Sequence, residues 1–359
     1  MNDPILFSPI TLAAAEGPGI QVRNRAFIAP MCQYSVEAKD GVPTDWHLQQ
    51  LGSFAAGGFG LVTTEATAVE PHGRISPRDL GIWNDEQLDS HARIVAFEHS
   101  QGAIAAVQLA HAGMKASTYP GLPGFTPGYV PEAEGGWQTR TPENLSKDDI
   151  AEIVGRFAQA AQRADQAGYD VVQLHGAHGY LMHEFLSPLT NKRTDEYGGD
   201  ETGRSRFVRE IVSAVRAVWP AGKPLGIRFS ATDWVENGWD VDATARLAQV
   251  LVADHGVTWI DASSGGLGNG TIPVGPGYQV PLASRIKTAL DGTNTVVSAV
   301  GLITKAQQAE TILATGQSDA ISVGRAALRD PHWAAAAAAE LGVPRDQLPS
   351  APQLHRANW

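Results

Sequence analysis

Short apolar runs rich in β-branched residues recur eight times along this chain, and longer amphipathic segments separate them. They centre on Ala26-Phe27-Ile28, Leu61-Val62-Thr63, Ala105-Ala106-Val107, Val171-Val172-Gln173, Gly226-Ile227-Arg228, Trp259-Ile260-Asp261, Val296-Val297-Ser298 and Ala320-Ile321-Ser322. Such alternation builds a parallel sheet, because each parallel return needs a crossover long enough to hold a helix. Eight units can close into a barrel or lie open as a doubly wound sheet. The open fold would usually carry a Gly-x-Gly-x-x-Gly turn after its first strand, and none follows Ala26-Phe27-Ile28. The expectation is a (β/α)8 TIM barrel, and 359 residues suit a single domain of that kind with insertions.

Local punctuation supports the alternation. Ser146 before Lys147-Asp148-Asp149 reads as an N-cap with an acidic first turn, and Gly168 as the stop of that helix. Thr304 reads as the N-cap after the seventh strand. Residues 111–143 are too many for an ordinary connection and include Pro120, Pro123, Pro127 and Pro131, so they are expected to form a lid or capping insertion after strand three. The alanine run from Ala334 to Ala339 reads as a surface helix.

Composition removes several classes of function. A formal net charge of -11, with no dense Lys/Arg cluster to override it, repels phosphodiester backbones and argues against nucleic acid as a partner. Cys32 is the single cysteine, so neither an internal disulfide nor a cysteine-held zinc or iron-sulfur centre can be assembled. No helical His-x-x-x-His pair is present either, and no metal is expected. The segment Met1 to Ile10 lacks a basic region followed by an apolar run, and nothing approaches the ~20 apolar residues of a membrane helix. A cytoplasmic protein without membrane association is the expectation.

In a barrel, chemistry gathers at the C-terminal ends of the strands, and phosphate groups often sit after strands seven and eight. Those strands end in Ser298-Ala299-Val300-Gly301 and Val323-Gly324-Arg325. Glycine lets backbone amides approach a phosphate and arginine adds a forked cation, although glycine also simply ends strands. Gln108 and Arg228 are polar residues inside apolar strands, where they need a partner. A flat heterocycle with carbonyl and imide groups would satisfy both; a structural salt bridge is the competing account of Arg228. After strand four comes His175-Gly176-Ala177-His178-Gly179-Tyr180. Two histidines at the barrel mouth read as donors to a substrate oxygen, with Tyr180 as a proton donor beside them; one could equally be a satisfied core histidine.

These stretches resemble the old yellow enzyme family, in particular its bacterial thermophilic-like class. The resemblance rests on Ala29-Pro30-Met31-Cys32-Gln33-Tyr34, Glu65-Ala66-Thr67, Gln108-Leu109-Ala110-His111-Ala112-Gly113 and the histidine run. It continues through Leu186-Ser187-Pro188, Thr190-Asn191, Arg193 to Gly199 and Arg204-Ser205-Arg206-Phe207, and covers nearly the whole chain. What it implies is an FMN-dependent ene-reductase that takes hydride from NADPH or NADH and reduces alkenes activated by a carbonyl, in a ping-pong cycle. It implies Ala29, Pro30, Met31, Cys32, Ala66 and Gln108 against the flavin, Arg228 at the edge where charge accumulates, and Gly301, Gly324 and Arg325 on the phosphate. His175 and His178 would hold the substrate oxygen, Tyr180 would supply the proton, and Tyr34 and Lys115 would line the substrate side. Asp195 to Phe207 reads as a structural loop. The resemblance also implies a homodimer, or a tetramer, in which the tail from residue 352 to 359 sends Arg356 and a terminal aromatic, here Trp359, into a neighbouring site. A non-catalytic flavin-binding redox sensor on the same barrel is the alternative.

Overall fold

The computed structural model describes residues 4–116, 118–119, 128–129 and 141–357. Eight parallel strands close into a barrel: β1 (Ala26–Ile28), β2 (Leu61–Ala68), β3 (Ile104–Ala110), β4 (Val171–Gly176), β5 (Leu225–Ser230), β6 (Trp259–Ser263), β7 (Val296–Ala299) and β8 (Ala320–Val323). Each centre picked out by composition lies in one of them. Almost every strand residue is buried, as a parallel sheet covered by helices on one side and filled by its own side chains on the other requires. An antiparallel hairpin of Ile10–Leu12 and Ile20–Val22 precedes the barrel. Its Leu12 and Val22 pack with Phe27, Leu61, Ala106, Val171, Trp259, Val296 and Ala320, which fill the N-terminal end of the barrel.

The outer ring comprises α1 (Asp45–Ala56), α2 (Leu88–Ser100), α3 (Lys147–Gln166), α5 (Glu201–Val218), α6 (Val241–His255), α7 (Val280–Ala289) and α8 (Ala306–Ala314), with the short α4 (Leu181–Leu186) just after β4. Ser146 caps α3, its hydroxyl accepting from the Asp149 amide while the Asp149 carboxylate accepts from the Ser146 amide. Past the helix end Gly168 adopts φ +91°, and the amides of Gly168 and Tyr169 close onto the carbonyls of Asp165 and Ala164, both at 3.0 Å.

Two local expectations are corrected. The N-cap of α8 is Lys305, not Thr304, whose amide instead donates to Gln308 Oε1 at 3.1 Å. The alanine run belongs to α10 (Trp333–Glu340), which follows the short α9 (Arg325–Arg329); Ala334, Ala335, Ala337 and Ala338 are buried, so α10 is no surface helix. Methyl side chains let α10 approach backbone: the Ala335 amide donates to the Gly57 carbonyl at 3.0 Å, and Trp333 stacks on Phe59 with ring centroids 6.1 Å apart. Residues 120–127 and 130–140 of the 111–143 insertion, with Pro120, Pro123, Pro127 and Pro131, lie outside the described residues.

Candidate active site

The turns that leave the strands at their C-terminal ends enclose a cavity of about 220 Å³. Its walls include Ala29, Pro30 and Met31 after β1, Arg228 of β5, Ser263 of β6, Gly301 after β7, and Gly324 and Arg325 after β8. Among the described residues two arginines and no carboxylate line it, so the charge on its walls favours an anion, most of all at Arg325, since Arg228 is paired with Asp261. At Gly324 an added Cβ would meet only Met31 Sδ at 3.6 Å, which leaves room for a ligand against this backbone. Gly301, at φ +124°, has no such freedom: a Cβ there would crowd the Gln279 side chain at 3.0 Å.

Below this opening the barrel interior is polar. Gln108 Nε2 donates to Gln173 Oε1 at 2.7 Å, and Gln173 Nε2 is buried with no partner among the described residues. Arg228 Nε lies 3.1 Å from Asp261 Oδ2, too far off line for a directed hydrogen bond. The other Asp261 oxygen accepts from Ser298 Oγ at 2.7 Å and Ser322 Oγ at 2.9 Å, and Ser298 in turn accepts from Trp259 Nε1 at 2.9 Å. Arg228 is therefore ion-paired, as the structural reading of it expected, and it also lines the cavity. Gln173 and Asp261 carried the same signal as Gln108, a polar residue within an apolar strand, and sequence reasoning passed over them. Ser263 and Gln279 gave no comparable signal, since both types are common beside loops.

Beside this floor three rings converge. His175 and His178 have centroids 5.2 Å apart, and Tyr180 lies 4.9 Å from His175 and 6.5 Å from His178. His178 Nε2 is 2.7 Å from Ser263 Oγ, which ties the ring to the cavity wall. His175 Nδ1 is buried and has no partner among the described residues. Burial, and then the positive charge of Arg228, pushes both imidazoles well below the ordinary histidine value, so both are neutral. Burial pushes the Tyr180 phenol up, and it keeps its proton. Cys32, Tyr34 and Tyr180 pack on an apolar patch of Ala66, Ile75, Ala110, Ala112 and Ala116. The Cys32 thiol is likewise pushed up, by burial and then by Asp79 and Glu65, which keeps it protonated and a poor nucleophile. Lys115 bonds through Nζ to the carbonyls of His178 at 2.5 Å and Gly266 at 2.7 Å, so its ammonium braces two loops.

Residues 5–343 match the NADH:flavin oxidoreductase / NADH oxidase family. The chain belongs to this family. A relative in Listeria monocytogenes serotype 4a (strain HCC23), an NADPH dehydrogenase, is 47% identical over 90% of this chain and 92% of its own length. An NADPH dehydrogenase of Bacillus velezensis (strain DSM 23117 / BGSC 10A6 / LMG 26770 / FZB42) is 43% identical over 98% of each chain. Among solved structures, morphinone reductase in complex with tetrahydroNAD is similar with a TM-score of 0.73 and 28% identity, over 95% of this chain and 92% of that one. The protein is thus an oxidoreductase of the old yellow enzyme type, a family of flavin and nicotinamide chemistry. Its residues fit FMN: the orphaned Gln173 amide and the polar floor suit a heterocycle, and the open Gly324 backbone with Arg325 suits a phosphate.

Two expected features stand apart from this mouth. The C-terminal segment runs past the opposite end of the barrel, where the Ala351 amide donates to the Ala56 carbonyl at 2.9 Å; Arg356 is exposed there, and Trp359 lies outside the described residues. The 195–207 segment is cross-braced, with Arg193 paired to Asp195 and bonded to the carbonyls of Pro142 and Leu145, and Asn191 bonded to those of Phe185 and Tyr197. Among the described residues no group of three or more His, Cys, Asp or Glu is placed to hold a metal ion, and no helix is long and apolar enough to cross a membrane.

Proposed function

We propose that this enzyme is an ene-reductase that uses NADPH or NADH to reduce the carbon-carbon double bond of α,β-unsaturated carbonyl compounds. The observation that carries the reading is the convergence of two neutral histidines and one protonated tyrosine on the mouth of a barrel whose floor suits a flavin. Bound FMN supplies a two-electron carrier between the nicotinamide and the alkene, and the protein positions and polarises. His175 and His178 donate to the carbonyl oxygen of the substrate, where negative charge develops, and each such donor is worth roughly 3 kcal/mol when aimed at that charge. The unpartnered Nδ1 of His175 supports this role, because a buried polar atom of that kind calls for a ligand. Tyr180 delivers its proton to the α-carbon. Arg228 would face the edge of the bound heterocycle where negative charge is to be stabilised, and Ala29, Pro30, Met31, Cys32, Ala66 and Gln108 would lie against its plane. Gly301, Gly324 and Arg325 take the phosphate, with no covalent link to the cofactor.

Arg356 completes the proposal. It sits at the wrong end of the barrel to serve its own mouth, which supports its assignment to a neighbouring subunit's pocket in a homodimer. The test of the whole reading is a visible spectrum followed by stopped-flow mixing. The purified protein should show flavin absorbance, and after reduction with NADPH it should be reoxidised by cyclohexenone under anaerobic conditions. A protein that holds FMN but gives no enone-driven reoxidation would instead support a redox sensor.

A further inference from the structure

The turn that presents His178 and Tyr180 is held from outside itself. His178 and Gly179 adopt φ of +60° and +74°, and a non-glycine residue in the left-handed region persists only where its surroundings enforce it. Here the enforcement comes from side chains. The His178 amide donates to Ser230 Oγ at 2.8 Å, its carbonyl accepts from Lys115, and the Gly179 amide donates to His183 Nδ1 at 2.9 Å.

His183 is the unexpected member. It is fully buried on α4 and has no part in the mechanism above. Its Nε2 lies 2.9 Å from Oδ1 of Asp233, which is also buried. The approach is off the N–H axis, yet neither atom has another partner among the described residues. Because Nδ1 accepts from Gly179 it carries no proton, so a neutral ring must hold its one proton on Nε2, toward Asp233. Asp233 Oδ2 accepts from Ser187 Oγ at 2.6 Å and the Trp239 amide at 2.7 Å. Burial alone would raise this carboxyl, but the donors from His183, Ser187 and Trp239 hold it below the usual carboxylate range, and it is ionised.

We propose that Asp233 and His183 are positioning residues for alkene reduction: the carboxylate fixes His183 in its Nε2–H tautomer, and the lone pair thereby left on Nδ1 holds the Gly179 amide and sets Tyr180 against His175 and His178. The inference rests on the reading of Tyr180 as the proton donor. Neither residue touches substrate. The relation between them follows a known logic, in which a carboxylate selects the tautomer of an imidazole that must present a particular nitrogen.

Substitution D233N tests it with almost no change of shape. Two donors, Ser187 and Trp239, point at Oδ2, so the amide oxygen takes that place and the NH₂ faces His183 Nε2. The ring must then accept at Nε2 and carry its proton on Nδ1, where it meets the Gly179 N–H head on. Enone-driven reoxidation of the FMN-loaded variant should fall about 10²-fold, the scale of a small misplacement of a reacting group, while reduction by NADPH changes little. The variant H183N places an amide oxygen near the Nδ1 position and keeps the acceptor for Gly179. It should retain most of the rate, and adding D233N to it should cost nothing further, since no tautomer is left to set. Nitrogen-15 spectra of histidine-labelled protein read the tautomer directly: Nε2–H for His183 in the wild type and Nδ1–H in D233N. A D233N protein with wild-type reoxidation overturns the proposal. So does equal slowing of both half-reactions, a full D233N effect in the H183N background, or a wild-type His183 protonated on Nδ1. A wild type that holds FMN but ignores the enone overturns the reading of the site itself, and the histidine spectrum then shows whether the tautomer assignment survives without it.

Discussion

Tyr180 concentrates the chemistry at the residue scale. Its phenol is held protonated by burial and its ring packs beside those of His175 and His178, which supports the proposed role of proton donor in the second half of the cycle. Tyr180→Phe should slow enone-driven reoxidation by about 10² to 10⁴-fold, the usual range for a general acid, and leave reduction by NADPH nearly unchanged. Stopped-flow measurement of each half-reaction decides it, and equal slowing of both would remove Tyr180 from the role of proton donor. The residues at this scale were unequally visible in the sequence. Gln108 and Arg228 stood out because polar groups in apolar strands are costly, whereas Gln173 and Asp261 carried the same mark inside runs otherwise read only as strands. Lys115 was assigned to the substrate side, and its place on two backbone carbonyls depends on a contact spanning 151 residues.

At the scale of elements, α4 is a one-and-a-half-turn anchor with all six residues buried, and two of them are ionisable. Glu184 Oε1 accepts from the Met114 amide at 2.8 Å, at the root of the 111–143 insertion, while its Oε2 is buried without a hydrogen bond among the described residues. Burial pushes this carboxyl up to about 8. The folded state therefore holds a proton that the unfolded chain releases near pH 4.5, so this stabilising contribution is full below that value and is lost as pH rises toward about 8. Glu184→Gln keeps an acceptor for Met114 and cannot ionise. Its melting temperature relative to the wild type should rise between pH 5 and pH 9 by an amount worth several kcal/mol, and level off above that. A pH-independent difference in thermal melts would mean that Glu184 ionises normally. Helix ends were legible where a cap is made by adjacent residues, as at Ser146 and Gly168. The burial of α10 was not, because an alanine run has the same composition whether it faces water or a neighbouring backbone.

For the whole molecule, the proposed dimer assigns work to a tail that lies far from its own active site. Deleting Arg356 to Trp359 should lower turnover and alter the KM for the enone without emptying the flavin site. Steady-state kinetics, flavin absorbance and sedimentation together check this. Unchanged kinetics, or a full-length protein that is monomeric at assay concentration, would rule it out. Arg356 and Ala357 are exposed, and the deletion leaves the buried Ala351 and its bond to Ala56 in place, so stability should change little.

The sequence by itself determined the eight strands, the expectation that they close as a barrel, and the family to which the chain belongs. Each of these rests on contiguous residues: hydrophobic periodicity, the missing Gly-x-Gly-x-x-Gly turn after β1, and runs such as His175 to Tyr180. Tertiary structure alone decided which polar groups meet. His178 finds Ser263 across 85 residues, and His183 finds Asp233 on the loop after the next strand. Such pairs depend on barrel register and on the left-handed turn at His178 and Gly179, and local propensity encodes neither the partner nor its distance. The end of β4 brings His175, His178 and Tyr180 together, and buried contacts from Ser230 and His183 hold the turn between them.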